Sequence, residues 1–484
     1  MAEGDQLKSK ALKGVFWTTV DKLGVKLIGF VVTIVIARIL TPADYGTIGM
    51  IMVFMTLANI FINSGISQSL VQNQDRTQAD LSTALWFNII ISIICYLILY
   101  ITAPWIADFY EVSQLTDIIR VLGLTLIVGA FGVVQRATIT IRLDFKLLTI
   151  VNIVATLLSG VIGIWMAVRG FGVWALVAQQ FVSQCASSVV LWFLSKWRPN
   201  AEFSLDSLKR LWNFGSKLLA TGLVATILRE VYALVIGKVY RQTELGLYSR
   251  ATQTSELIAY TTNDIINSVT FPILAQLQND RERMVSVYSR MLGMTAFIIF
   301  PVMTIMAVVA KPLFLFLLTE KWLMAVPLFQ WLCFARMFTP ISSLNMNILN
   351  AVGRSDLFMK VDFSKIPLTI IGMAITLPIG VEAVVIGNFI ITFISYFINA
   401  YLPGKMFNFG IKAQTRIFSK IIIATGGMTI ITLLTLMIEL PLFLHLIIPL
   451  ILGGISYLWF SYILRIEYFD EIKTIAFKYL KINH

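Results

Sequence analysis

Long apolar runs, each closed by a short polar turn, repeat along the whole chain. A membrane-crossing helix needs about 20 apolar residues. Fourteen runs meet that need: residues 15–37, 46–70, 82–107, 117–141, 147–169, 173–196, 211–237, 250–273, 287–310, 323–350, 361–380, 383–403, 418–438 and 441–464. No hydrophilic stretch between them is long enough for a soluble domain. The longest gap, 197–210, lies in a short basic connector, KWRPNAEFSLDSLKR (196–210). The first run follows Lys8, Lys10 and Lys13. It is too long for the core of a signal peptide and no A-x-A site follows it, so it is expected to be a retained transmembrane helix.

Composition agrees with this pattern. Of the 484 residues, 58% are hydrophobic and 13% charged, against about 45–50% and about 25% in soluble proteins. Mean hydropathy is +0.82. An ordinary soluble enzyme, a disordered chain and a nucleic-acid-binding protein are excluded. The expected fold class is an all-α polytopic membrane protein. The net charge of +12 would suggest a polyanion partner on a soluble protein, but here topology explains it. With both termini in the cytoplasm, 26 of the 38 Lys and Arg residues fall in inner loops and tails, eight in outer loops and four within spans. Cytoplasmic loops collect Lys and Arg, so this orientation in a bacterial cytoplasmic (inner) membrane is the expectation. Cys95, Cys185 and Cys333 all fall inside apolar runs, so neither a disulfide framework nor a thiolate metal site is expected.

The chain also repeats itself. ARILTPADYG (37–46) follows the first run and GKVYRQTELG (237–246) the seventh. Arg38 aligns with Lys238, Asp44 with Glu244 and Gly46 with Gly246 at an offset of 200. Asn59 and Asn63 align with Asn263 and Asn267 at 204, Asp75-Arg76 with Asp280-Arg281 at 205, and Phe145-Lys146 with Gly353-Arg354 at 208. A slowly drifting offset over several landmarks marks an internal duplication. The unit is six helices, so both copies share one orientation, as transporter halves often do. The expected organisation is a six-helix lobe at 1–200, a second at 201–404, and two extra helices with a cytoplasmic tail at 405–484.

Ionisable groups inside spans are costly and usually face a cavity or a partner. Lys22 and Lys26 share a helical face with Thr18, Gly29 and Thr33 in the first run. Asn59 and Asn63 share one with Thr56 and Ser67 in the second. The seventh carries Lys217, Thr221 and Arg229, and the eighth carries Gln253, Glu256, Tyr260, Asn263, Asp264 and Asn267. The first pair of helices in each half thus has a polar stripe, and a central cavity lined by those four helices is the simplest reading. Each residue has a blander role. Lys22, about 10–12 Å into its helix, and Lys217, near the inner end of its own, can snorkel, and the Asn residues can serve as interhelical glue. Asp264 fits an ion-coupling site or a counter-ion for Arg229. Arg336 fits a structural ion pair.

No P-loop, dinucleotide-binding glycine motif, H-E-x-x-H or paired metal-ligand cluster occurs. A transporter rather than an enzyme is expected, with no cofactor or metal.

Several segments resemble a known family. They are ARILTPADYG, NSGISQSLVQNQ (63–74), the stretch from Gln135-Arg136 to Phe145-Lys146, SVTFPILAQLQNDRER (268–283) and ILNAVGRSDLFMK (348–360). Together, in order over essentially the whole chain, they resemble the polysaccharide exporters that include Wzx-type and colanic-acid-exporter-like flippases. Those belong to the multidrug/oligosaccharidyl-lipid/polysaccharide exporter superfamily. The resemblance implies two six-helix lobes, alternating access, and an undecaprenyl-pyrophosphate-linked oligosaccharide moved from the inner to the outer leaflet. Partners it would involve are membrane lipids and, further out, a polysaccharide polymerase and glycosyltransferases. No substrate motif of the family maps onto single residues here, so Lys22, Lys26 and Arg229 rest on the polar stripes alone. A guanidinium or ammonium in a low-dielectric cavity suits a pyrophosphate. Two other readings compete: a cation-coupled multidrug exporter of the same superfamily, which Asp264 favours, and a membrane-embedded glycosyl- or acyltransferase, which the two histidines and sparse loop carboxylates disfavour.

Overall fold

The computed structural model describes residues 24–63, 69–71, 73 and 75–471. Helices joined by short turns account for them, with no strand among the described residues. The chain divides into two compact units, Met1–Gly246 and Leu247–His484.

The first unit contains α1 (Lys26–Ile39), α2 (Pro42–Asn63), α3 (Gln78–Tyr110), α4 (Leu115–Ile141), α5 (Phe145–Val168) and α6 (Val173–Leu194). Local chemistry sets their ends. Thr41 donates from its backbone N–H (2.9 Å) and its hydroxyl (2.7 Å) to the Asp44 carboxylate. Asp44 N–H donates back to the Thr41 hydroxyl at 3.3 Å, and Pro42 opens the helix, where its missing N–H costs nothing. ARILTPADYG is therefore a helix-start signal as well as a repeat landmark. Thr77 and Asp80 form the same kind of capping box at the head of α3, and Glu111 ends that helix in the left-handed region at φ 59°. Asp144 caps α5. Within the unit α3 packs along α4, α5 along α6, α4 along α6 and α1 along α5, while α2 touches α3, α4 and α6. The outward faces are apolar: Phe193 is 82% exposed and Trp105 68%, as lipid contact requires.

The seventh and eighth predicted spans are continuous in α7 (Leu205–Gln276), which passes from one unit into the other. Its one non-helical residue is Arg241 (φ 72°, ψ −171°). A non-glycine residue rarely adopts that conformation, so the backbone breaks there between the two predicted spans.

The second unit continues with α8 (Arg281–Val308), α9 (Ala310–Leu317), α10 (Ala325–Arg336), α11 (Phe338–Ala351), α12 (Ser355–Ser364), α13 (Ile366–Thr376), α14 (Val381–Phe407), α15 (Ile411–Leu436) and α16 (Leu442–Ile463). The tenth predicted span is broken at Met337 into α10 and α11, and the eleventh at Lys365 into α12 and α13. Lys365 Nζ reaches Asp362 (2.5 Å) and Asn399 of α14 (3.1 Å), holding the second break. In the turn before α12, Arg354 donates to both Asp356 oxygens (2.9 and 3.0 Å), which brings that carboxyl down to about 2.

Nine helices among the described residues are long and apolar enough to cross a membrane. The other five predicted spans are the first, whose start lies outside the described residues, the seventh and eighth, merged in α7, and the two broken ones. Every predicted span thus has helical counterparts, and the all-α polytopic expectation holds.

The pair α15–α16 packs against α8 and α9 of the second unit. Gln414, fully buried at the head of α15, anchors it. The Gln414 amide donates to Asn345 of α11 (2.9 Å) and to the Tyr288 hydroxyl of α8 (3.2 Å), and its oxygen accepts from the Tyr396 hydroxyl of α14 (3.1 Å). Tyr288 donates to Asn345 as well. Four helices meet on one buried hydrogen-bonded cluster.

Candidate functional site

Three helix faces in the first unit converge on a polar cavity of about 260 Å³. From α2 come Asn59 and Asn63, one turn apart. From α4 come Thr125, Gly129, Gly132 and Arg136, and from α6 come Gln184, Ser187 and Leu191. Each set follows the three-to-four-residue spacing that keeps side chains on one helix face. The two helices run close here: a Cβ at Gly129 would sit 2.9 Å from the movable Gln184 amide nitrogen, and one at Gly132 would sit 3.1 Å from Leu191 and 3.3 Å from Ser188. Two bonds fix α6 on α4 beside the cavity, Ser188 Oγ to Val128 O (2.7 Å) and Trp192 Nε1 to Phe131 O (2.9 Å).

The polar groups are positioned rather than loose. Arg136 Nη2 donates to Ser187 Oγ at 3.1 Å. Asn59 spends one amide hydrogen on its own helix, at Met55 O (2.9 Å), which leaves its carbonyl oxygen to the cavity. The lining combines one guanidinium, three carboxamides and two hydroxyls with a few apolar side chains, and it includes no carboxylate among the described residues. Such a wall can hold a hydroxyl-rich, anionic group.

Of the residues expected from the sequence, the structure brings Asn59 and Asn63 together here. Lys26 and Arg229 do not line this cavity. Lys26 opens α1 and is exposed. Arg229 is exposed on α7 and bonds its neighbour Glu230 at 3.0 Å. Asn263 keeps a buried carbonyl oxygen that has no hydrogen-bond donor among the described residues. Lys22 lies outside the described residues, and so do the side chains of Lys217, Tyr260, Asp264 and Asn267. The sequence reading missed Arg136, Gln184 and Ser187. Arg136 sits five residues from the end of α4 and counted as an inner-loop charge. The stripe Thr125, Gly129, Gly132, Arg136 was the available signal.

A second intramembrane cation is handled differently. Arg336, last residue of α10, pairs with Glu256 of α7 at 2.8 Å, with side chains only 19% and 25% exposed. It is the ion pair the sequence suggested for Arg336.

The inter-half connector is stitched to the head of α3. Gln78 donates to Arg198 O (2.8 Å) and accepts from the Trp197 indole (2.7 Å). Ser82 and Thr83 hydroxyls accept from the backbone N–H groups of Asn200 and Ser204, both at 3.0 Å. Arg210 bonds the buried Asp80 at 2.8 Å. What reads as a linker is a docked strap.

At the other end of the unit the repeat landmarks touch. A Cβ on Gly46 would collide with the Gln242 carbonyl, and one on Gly246 with the Pro42 carbonyl. Pro42 and Gln242 are themselves 200 residues apart, as Gly46 and Gly246 are. The contact is reciprocal.

A sequence family described as "Polysaccharide biosynthesis protein" matches residues 35–327, more than half of the chain. The chain belongs to this family. The cavity residues Asn59, Asn63, Arg136, Gln184 and Ser187 all lie within the family match, as do Arg229 and Asp264. The teichuronic acid biosynthesis protein TuaB of Bacillus subtilis (strain 168) is 25% identical over 429 residues, 88% of this chain and 89% of that one. The lipopolysaccharide biosynthesis protein WzxC of Escherichia coli (strain K12) is 25% identical over 403 residues, 81% of each chain. Among solved structures, the lipid II flippase MurJ in an inward closed conformation matches with a TM-score of 0.73 at 16% identity, covering 95% of this chain and 100% of that one. An inward-facing multidrug resistance MATE family transporter of the MOP superfamily matches with 0.63 at 15% identity, covering 84% and 99%. At such identities these two likenesses speak for the fold alone. The family member described here is a polytopic all-α membrane protein of polysaccharide biosynthesis.

Proposed function

We propose that the protein is a secondary transporter that turns an undecaprenyl-pyrophosphate-linked oligosaccharide from the inner to the outer leaflet by alternating access. It acts as a carrier, not as an enzyme. The observation that carries this reading is a polar, cation-bearing cavity inside the helices of a polysaccharide biosynthesis family member. Relatives named for surface polysaccharides and the fold shared with a lipid II flippase support it. The polar glycan and pyrophosphate need a lined path, while the polyprenyl tail stays in lipid. Lys22, Lys26, Lys217 and Arg229 supply positive charge for the pyrophosphate. Asn59, Asn63, Tyr260, Asn263 and Asn267 contact the glycan, and Asp264 is the coupling-ion candidate. The working arrangement is two lobes, 1–200 and 201–404, with 405–484 appended. It sits in a bacterial inner membrane with both termini cytoplasmic. Glycosyltransferases supply the substrate and a polymerase consumes it.

The test is deletion followed by leaflet-resolved measurement of undecaprenyl-linked glycan together with surface polysaccharide. Inner-leaflet accumulation with loss of surface polymer is expected. Unchanged lipid-linked glycan with new drug sensitivity would instead favour the cation-coupled multidrug exporter. The fold likeness to a multidrug transporter keeps that second reading in view, and Asp264 would be its first residue to mutate.

A further inference from the structure

A shallow groove on the second unit runs between α12, α14 and α15, with a volume of about 520 Å³. At about 30 Å³ for a water-sized group, it has room for about 17 such groups, the size of one fatty acyl chain. Its walls change character along its length. On α14 the positions Phe397, Tyr401 and Lys405 follow one another at one-turn spacing. The first two line the groove, so a face that starts apolar ends in a cation. On α12 Lys360 lines the groove nearer the head of the helix, and Ser364 lies one turn further on. Ile411, which opens α15, closes the same end. The turn there is tight: a Cβ on Gly404 would sit 2.8 Å from the Gly410 Cα. Lys412 follows Ile411 directly.

The charge at this end is available. Lys360, Lys405 and Lys412 are exposed and enter no ion pair among the described residues. The two carboxylates of α12, Asp356 and Asp362, are bonded to Arg354 and Lys365. No carboxylate lines the groove among the described residues. The face is otherwise apolar and turned outward, with Tyr401 62% exposed and Phe363 47%. A tyrosine between an apolar stretch and a charged one is the arrangement found at membrane–water interfaces. The order along the groove is therefore that of an anionic phospholipid: chain, ester level, phosphate. Lysines near a membrane surface attract anionic head groups. A zwitterionic head group would bring its own cation against the three lysines.

We propose that this groove seats one acyl chain of a phosphatidylglycerol molecule, with Lys360 and Lys405 on its phosphate and Tyr401 at the ester level. The seated lipid joins α12, beside the break at Lys365, to α14 and to α15, the first of the two appended helices. In the orientation proposed above, this end of the groove lies in the cytoplasmic leaflet. The seat does not depend on what the protein carries.

The test uses the purified full-length protein in detergent with three lipids: phosphatidylglycerol, phosphatidylcholine with the same chains, and undecaprenyl phosphate. Dissociation constants for the first lipid bound are read by native mass spectrometry. The proteins are the wild type, the double variant Lys360→Gln/Lys405→Gln, and Leu402→Trp, whose larger side chain would occupy the groove. A lysine beside a head group corresponds to roughly fivefold in affinity. The wild type is expected to prefer phosphatidylglycerol over phosphatidylcholine by roughly tenfold or more. The double variant is expected to lose that preference while still binding both phospholipids. Leu402→Trp is expected to weaken both severalfold. The two lysines are exposed, so the double variant carries the test if Leu402→Trp fails to fold. A wild type without preference overturns the proposal, and so does a double variant that keeps it. Unchanged binding by a folded Leu402→Trp places the lipid elsewhere and also overturns it. Undecaprenyl phosphate that binds as tightly as phosphatidylglycerol, and is weakened equally by Leu402→Trp, would assign the groove to a polyprenyl tail instead.

Discussion

The fourth span of the first half and its repeat counterpart in the second handle a membrane-embedded arginine in opposite ways. In α4 the helix runs unbroken from Leu115 to Ile141, and Arg136 lines a cavity walled by amides and hydroxyls. At the corresponding offset the second half has two shorter helices broken at Met337, and Arg336 sits at the break against Glu256. An arginine in a low-dielectric setting has to be compensated. In the second half a carboxylate meets the guanidinium, and in the first the Ser187 hydroxyl does so on a wall of amides and hydroxyls. The two spans thus set their arginines among side chains of different chemistry.

That contrast can be broken, and the largest effect is expected at the ion pair. Glu256→Ala removes the carboxylate that Arg336 pairs with and should lower stability by about 3 kcal/mol, read as a drop in melting temperature in detergent. Replacing both residues by Leu should restore most of it. If Glu256→Ala melts like the wild type, the second arginine is not structural and the comparison fails. Next comes the reciprocal glycine contact, which belongs to both halves of the repeat. Gly46→Val forces α2 away from Gln242 and should cost about 1–3 kcal/mol by overpacking. Gly246→Val should show a similar loss, because the contact is reciprocal. Gln414→Leu comes third. It strips partners from Tyr288, Asn345 and Tyr396 and should cost about 2 kcal/mol, with unfolding measured by near-UV circular dichroism. The smallest change in stability belongs to Arg136→Gln. A side chain that faces an open cavity should move stability by no more than about 0.5 kcal/mol, even where export is lost. A large drop in melting temperature would make Arg136 structural after all.

Much of this was legible along the chain. A membrane demands about 20 apolar residues per crossing whatever the neighbours do, so spans such as 117–141 and 147–169 fall within a few residues of α4 and α5. The capping chemistry at Thr41 and Asp44 is equally local. The breaks at Met337 and Lys365 leave hydropathy unchanged, and their signal lay instead in Pro340 and Pro367, each in the first turn of the helix that follows. Lys365 shows its role only through Asn399 on another helix. The connector read as a basic linker, since nothing in its own residues announces that Gln78, Ser82 and Thr83 lie beneath it.

The sequence by itself determined that this is an all-helical membrane protein, because hydrophobic length needs no partner to be read. The tertiary structure alone decided which polar residues meet. Asn59 and Asn63 were visible as a stripe, but Arg136, Gln184 and Ser187 join them only where α4 and α6 pack together beside α2. A site of this kind is a property of three helix faces and their rotation about one another, and one-dimensional spacing carries the faces without the rotation.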